Sequence, residues 1–169
     1  MMKKREKGFT LLEIVVGSAI MAVVVGAIAA TLTTLFLNYG QAAGQNSALP
    51  QVQNAGFWIT RDVQTSRNIT AGDPNGFPIT LKIPVDIDAA NDNRIEYVFY
   101  GQKLKREFYN SSDNLISETM IADYMDTDAC TFSTVNATMR YYRLTVSAAR
   151  AGETVTRVYD MSQRLPSSG

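Results

Sequence analysis

Residues 9–37 decide the fold, and they read FTLLEIVVGSAIMAVVVGAIAATLTTLFL. Glu13 is the one charged residue in this stretch, and the others are apolar, small or hydroxyl-bearing. As an α-helix the stretch would extend about 43 Å, more than the roughly 30 Å hydrocarbon core of a bilayer. The sequence therefore predicts a helix that crosses a membrane and continues beyond it.

The residues before this stretch fix its orientation. Residues 1–8 carry one acidic residue, Glu6, against a cluster of basic residues: Lys3, Lys4, Arg5 and Lys7. Positive charge beside a membrane span stays in the cytoplasm, so we expect the N-terminus inside and the rest of the chain outside. A secretory signal cut after Ala27-Ile28-Ala29 is the alternative, but the apolar residues continue to Leu37 and Glu13 would have no use in it.

Glu13 is the informative residue of the stretch. A carboxylate within a membrane segment is costly and calls for a cationic partner, unless it lies near enough to the headgroups to stay solvated. Cleavage between Gly8 and Phe9 would create such a partner, a new α-amino group at Phe9. We expect this amine to lie too close in sequence to reach its own Glu13 comfortably, whereas the amine of an axially staggered neighbour would reach it. Such a pair would set the stagger between subunits.

The residues KGFTLLE at positions 7–13 resemble the class III leader junction of type IV pilins and type II secretion pseudopilins. The resemblance extends over residues 3–37. It implies that a prepilin peptidase/methyltransferase cuts after Gly8 and methylates the amine of Phe9. It also implies that Glu13 serves assembly with other pilin or pseudopilin subunits, on an inner-membrane assembly platform.

The resemblance and the residue pattern together divide the chain into four parts. We expect a cleaved basic leader at 1–8, a transmembrane and assembly helix at 9–37, an extracytoplasmic amphipathic helix at 38–71, and a globular β domain at 72–169. The second helix rests on a stripe of apolar residues spaced mostly three or four apart: Ala43, Ala48, Val52, Ala55, Ile59 and Val63.

Proline and glycine mark the predicted breaks. Pro50 should kink the amphipathic helix, or else end one helix and begin another. The run from Gly72 to Gly76, GDPNG, should stop it.

Beyond this stop the apolar period changes to two, which indicates strands. We predict a strand at 78–87 on a sheet edge, because it contains Pro84. We predict hairpins from 94–100 with 103–109 and from 138–147 with 153–161, a short strand at Leu115–Ile121, and a loose tail from Pro166. The expected fold class is α+β and pilin-like: a long N-terminal helix, with a membrane-spanning first half and an amphipathic second half, packed on an antiparallel β-sheet domain.

Composition excludes several classes of function. The chain has no histidine and one cysteine, Cys130, which removes the commonest general base, the commonest zinc ligand and any internal disulfide. Acidic and basic residues number 16 each, so the chain after the basic leader is net acidic, which argues against contact with nucleic acid. We expect no enzymatic activity, and we expect Cys130 to be a core residue.

One loop is rich in oxygen ligands. It contains three carboxylates and two side-chain amides: Asp86, Asp88, Asn91, Asp92 and Asn93. Calcium favours such donors, although the spacing differs from that of an EF-hand. The alternatives are a calcium site and an ordinary hairpin loop, in which Asn and Asp favour turns.

A narrower resemblance concerns the region after the membrane. Four stretches of this region are similar to stretches of PilW-like and J-type minor subunits: Arg61-Asp62-Val63 with Arg67, Asp86-Ile87-Asp88, Ile95-Glu96-Tyr97 and Leu104-Lys105-Arg106. Those subunits often have glycines where this chain has Ala89, Ala90 and Asn91.

Two functions follow as expectations. The resemblance implies a minor pilin or pseudopilin that is processed and assembled into a type IV pilus or a type II secretion pseudopilus. Its localisation would be the cytoplasmic membrane and then the filament. The alternative is a singly membrane-anchored extracytoplasmic binding protein that does not polymerise, whose contact with the lipid bilayer would serve only as an anchor.

Overall fold

The computed structural model describes residues 10–164, and for residues 38–45 it describes the backbone alone. Helix α1 comprises Leu11–Thr65, and a short 3-10 turn lies at Ala89–Asn91. The remaining elements are eight strands: β1 (Asn68–Gly72), β2 (Gly76–Ile83), β3 (Asn93–Tyr100), β4 (Lys103–Tyr109), β5 (Leu115–Ala122), β6 (Thr131–Asn136), β7 (Tyr141–Arg150) and β8 (Glu153–Ser162). The predicted α+β class is confirmed. The chain divides into two compact units, with the boundary between Gly40 and Gln41.

The first section of α1, Leu11–Leu37, exposes every one of its side chains. Its hydroxyl groups are satisfied inside the helix, because Thr31, Thr33 and Thr34 each donate to the carbonyl four residues earlier, at 2.9–3.0 Å. A helix whose polar groups are bonded internally is compatible with a hydrocarbon environment. By length and composition this section is able to cross a membrane.

The later section of α1 buries the predicted apolar stripe. Five residues of the stripe have no exposed surface: Ala48, Val52, Ala55, Ile59 and Val63. They pack into the same core as Ile79, Leu81 and Tyr97 of the sheet, so this section is held to the domain by its apolar face. Pro50 lies inside α1, which rules out two helices that meet at this proline.

The helix ends earlier than expected. The predicted helical segment 38–71 stops at Thr65, and its last residues form strand β1. The Ser66 hydroxyl donates to the carbonyl of Val63 at 2.8 Å, and the Arg67 amide donates to the carbonyl of Lys82 at 2.7 Å. The backbone thus exchanges helical bonds for pairing with β2 before it reaches Gly72.

The strands form two antiparallel sheets. One has the order β1-β2-β3-β4-β5 and the other the order β6-β7-β8. Both predicted hairpins are confirmed, as is the strand at β5, and Gly101 in the β3–β4 turn has the φ of +59° that glycine adopts readily. Strands β1 and β6 were not predicted.

The expectation of an edge strand at 78–87 is wrong. Strand β2 ends at Ile83, before Pro84, and lies between β1 and β3. Since the proline lies outside the ladder, it removes no sheet hydrogen bond. The predicted loose tail from Pro166 lies outside the described residues.

The two sheets approach closely at Gly76. Its φ is +88°, and a Cβ there would lie 1.9 Å from the carbonyl oxygen of Phe132 in β6. The Phe132 amide also donates to the carbonyl of Asn75 at 2.9 Å. Only glycine fits this contact, which sets where one sheet meets the other.

Candidate functional site

The beginning of α1 is a reciprocal cap between Thr10 and Glu13. The Glu13 carboxylate accepts from the Thr10 amide at 2.9 Å and from the Thr10 hydroxyl at 3.0 Å. The Glu13 amide donates to the Thr10 hydroxyl at 3.3 Å. This is a capping box, in which the N-cap residue and the third helical residue satisfy one another's backbone donors.

The capping box adds a role for Glu13 that the sequence analysis missed. The spacing Thr10-x-x-Glu13 is the sequence signature of such a cap, so the cap could have been predicted from the sequence. The carboxylate reaches back one turn to the residue that directly follows Phe9. The expectation that the Phe9 amine lies too close in sequence to reach its own Glu13 stays a prediction, because Phe9 lies outside the described residues.

The helix surface beyond Glu13 has room for close neighbours. A Cβ at Gly17 or at Gly26 would meet nothing within 4 Å. Small residues recur along the same section, at Gly17, Ala19, Ala22, Gly26 and Ala29. Small side chains let helix backbones approach one another closely in apolar surroundings.

Residues 3–29 match the family model of the prokaryotic N-terminal methylation motif. The chain carries a prepilin-type N-terminus. The match supports the type IV pilin and pseudopilin family, and with it processing by a prepilin peptidase and assembly with other pilin subunits. No curated protein matches the chain at a significant level.

The prepilin motif includes the predicted cleavage position, but the structure does not describe the residues at that position. Gly8 and Phe9 lie outside the described residues. Cleavage after Gly8, methylation of Phe9 and the assembly role of Glu13 therefore stay predictions. The apolar section Leu11–Leu37, together with the prepilin leader, fits a membrane-anchored protein.

In the globular unit, a buried carboxylate joins α1 to the sheet. Asp62 is 5% exposed, and one of its oxygens accepts both from the Tyr97 hydroxyl and from Arg106 Nε, each at 2.6 Å. The Arg106 guanidinium also lies over the Trp58 ring, 5.4 Å from its centroid. Burial and the Asp62 charge both raise the pKa of Tyr97, so its hydroxyl stays protonated and donates to the carboxylate.

This contact unites three stretches that the sequence analysis quoted separately. Asp62, Tyr97 and Arg106 come from the helix, β3 and β4 and meet at one carboxylate. The pattern of charged and aromatic residues did not reveal the contact, because their pairing depends on the register of β3 with β4, in which Tyr97 faces Arg106. The contact gives these residues a structural role, whatever the subclass of the subunit.

The predicted calcium loop is organised by its own hydrogen bonds. One oxygen of Asp86 accepts from the Asp88 amide at 2.8 Å, and the other accepts from the Asn91 side chain at 2.8 Å. Asp88 caps the 3-10 turn by accepting from the Ala90 amide at 2.9 Å. Asn93 begins β3 opposite Ile83.

The positively charged side chain of Arg67 binds this loop. The guanidinium of Arg67 donates to the carbonyls of Asp86 at 2.5 Å and Ile87 at 3.3 Å, and lies 3.4 Å from the buried carboxylate of Asp92. Among the side chains that the structure describes, no three of the types His, Cys, Asp and Glu are grouped to hold a metal ion. The geometry is that of the alternative, a hairpin loop rich in Asx turns, and calcium binding stays an untested prediction.

Proposed function

We propose that this chain is a minor pilin or pseudopilin, a structural subunit rather than an enzyme. The precursor inserts in the cytoplasmic membrane with its basic leader inside, and the prepilin peptidase/methyltransferase cuts between Gly8 and Phe9 and methylates the new amine. The inner-membrane platform then moves the subunit into a type IV pilus or a type II secretion pseudopilus. The observation that carries the proposal is the prepilin motif at residues 3–29.

The apolar section Leu11–Leu37 supports assembly. It exposes all its side chains, whereas the later section of the same helix buries its stripe in the chain's own core. Exposed apolar surface of this extent requires lipid or other helices around it. In the membrane lipid covers it, and in a filament the equivalent helices of neighbouring subunits replace the lipid.

Glu13 has two roles in this account. Within its own chain it caps α1 through Thr10. In the filament, where the carboxylate leaves the headgroup region, the methylated amine of a neighbouring subunit becomes its cationic partner. A buried ion pair is most valuable as a register device, because a shifted neighbour leaves the carboxylate unpaired at a cost of several kcal/mol.

A filament fractionation experiment tests the proposal. The Glu13→Leu variant should insert in the membrane as the parent does but should disappear from sheared filaments, and Glu13→Gln should lose most of its incorporation. Glu6→Gln, a change to a leader acid, serves as the matched control and should assemble normally. Equal amounts of the parent and Glu13→Leu in the filament fraction would remove the register role. If the parent stays in the membrane while other subunits enter filaments, the singly anchored binding protein becomes the better account.

A further inference from the structure

The globular unit has a groove between α1 and β8, with a volume of about 770 Å³. Tyr159 forms its floor and packs against Gly56, where a Cβ would lie 2.2 Å from the tyrosine ring. The Tyr159 hydroxyl donates to the carbonyl of Val52 at 3.2 Å, which fixes the ring. The groove is therefore a built feature of the packing of helix on strand.

The walls of the groove combine apolar and cationic groups. Phe57 is 60% exposed on the helix side and Val158 is 57% exposed on the strand side. Arg61 and Arg157 also line the groove, and no carboxylate among the described side chains forms an ion pair with either. The groove thus suits a segment that carries apolar side chains and a carboxylate.

One wall of the groove is a free sheet edge. Among the described residues, β8 pairs with β7 on one side and with no strand on the other. Its outer amides and carbonyls remain available to an added strand, and a strand edge beside a helix is a known form of groove for extended segments.

Strand β5 has the complementary properties. It is the edge of the other sheet, and Leu115, Ile116 and Met120 on it are each 50–59% exposed. Glu118 lies among them and, although it pairs with Lys105, its side chain remains 43% exposed. Edge strands that face water usually carry charged or proline residues instead, so three exposed apolar side chains on one edge indicate a contact surface.

The geometry points to a contact in which β5 of one copy of this chain adds to β8 of a second copy. Leu115, Ile116 and Met120 supply the apolar groups for the groove beside Phe57, and Glu118 faces Arg157. The strands are similar in length, with eight residues in β5 and ten in β8. Because the two edges differ, the contact is heterologous and joins two copies that lie side by side in a filament. To this extent the inference rests on the proposed function.

Site-specific photocrosslinking of the full chain tests the contact. Phe57 is replaced by photoreactive benzoylphenylalanine, the protein is assembled from a mixture of isotopically light and heavy chains, and crosslinked peptides are identified by mass spectrometry. We expect mixed light–heavy products that join position 57 to residues 115–122. Arg157→Glu should lower their yield about tenfold, since a like-charge contact of this kind costs on the order of 1.4 kcal/mol or more. Combining Glu118→Arg with Arg157→Glu should restore the yield.

Three results would overturn the contact between copies: products within a single copy, including products with the residues that follow Arg164; products with a different subunit alone; or filaments that contain the photoreactive chain but give no product. Filament incorporation is measured in the same samples. If the chain enters no filaments at all, the proposed function fails. If it enters filaments without the crosslink to 115–122, this inference alone fails.

Discussion

Two sections of helix α1 differ in where their apolar side chains lie. Leu11–Leu37 is apolar on all sides and exposes every side chain, whereas the section from Ala48 to Val63 is apolar along one stripe and buries that stripe completely. The same secondary structure therefore carries two kinds of information. An apolar stripe packs against its own chain, whereas a helix that is apolar on all sides must be covered by lipid or by other subunits.

The largest expected effect comes from the carboxylate that fixes the second section to the sheet. Asp62→Ala leaves the Arg106 cation and the Tyr97 hydroxyl without their acceptor. Breaking a buried pair in this way should lower the free energy of unfolding by about 3–5 kcal/mol. Urea unfolding of the full chain in detergent, followed by the fluorescence of Trp58, measures the loss.

Asp128→Ala is the matched control for this prediction. It removes the same charge from an exposed position and should change stability by less than about 0.5 kcal/mol. Equal effects of the two substitutions would show that Asp62 contributes no more than an exposed acid.

The same truncation at two places on α1 tests the comparison directly. Ile59 has no exposed surface and Ile20 is 61% exposed. Ile59→Ala should cost about 2–4 kcal/mol because it leaves a cavity. Ile20→Ala should leave the urea midpoint of the Trp58 signal unchanged, and its effect should appear only as weaker filament assembly. A large stability loss from Ile20→Ala would mean that the two sections are not separate in their energetics.

A smaller effect is expected at the floor of the groove. Tyr159→Phe removes the hydroxyl that donates to the Val52 carbonyl and keeps the ring against Gly56. The expected loss in the free energy of unfolding is about 1 kcal/mol. Tyr124→Phe is the control, since among the described residues the Tyr124 hydroxyl makes no hydrogen bond. Differential scanning calorimetry of the two variants should separate them by a few degrees, and coincident transitions would argue against a stabilising role for the Tyr159 bond.

The smallest expected effect concerns the alkylation rate of the native thiol of Cys130. Cys130 is fully buried, and burial raises its pKa, so at a given pH less of the reactive thiolate is present than in an exposed cysteine. Alkylation of the folded chain near pH 8 should be at least about tenfold slower than in urea. Ile59→Ala should speed it and Ile20→Ala should not. Rapid labelling of the folded parent would contradict the burial of Cys130.

The predictable part of the fold is the part whose signal is local and repeated. The spacing of Ala48, Val52, Ala55, Ile59 and Val63 predicted the buried face of α1, since each turn of the helix repeats the signal. The β3–β4 hairpin followed from alternation on both sides of Gly101. The capping box at Thr10 and Glu13 has an equally local signature but was not predicted, because the same carboxylate is also expected to form an ion pair between subunits.

The parts that were missed depend on distant partners. Strand β1 is a short polar segment, NITAG, that becomes a strand only because β2 pairs with it and the Arg67 amide reaches Lys82. Strand β6 has one buried residue, Phe132, and its alternation is too weak to notice. The meeting of Asp62, Tyr97 and Arg106 depends likewise on sheet register, which no single stretch encodes.

The proposed function depends on the prepilin N-terminus, and the mass of the mature N-terminal peptide tests it most directly. Protein isolated from cells that contain the assembly machinery should begin at Phe9 and carry one additional methyl group on its amine. An intact N-terminus that retains Met1 or Met2, or cleavage after Ala29 as by a secretory signal peptidase, would contradict the account.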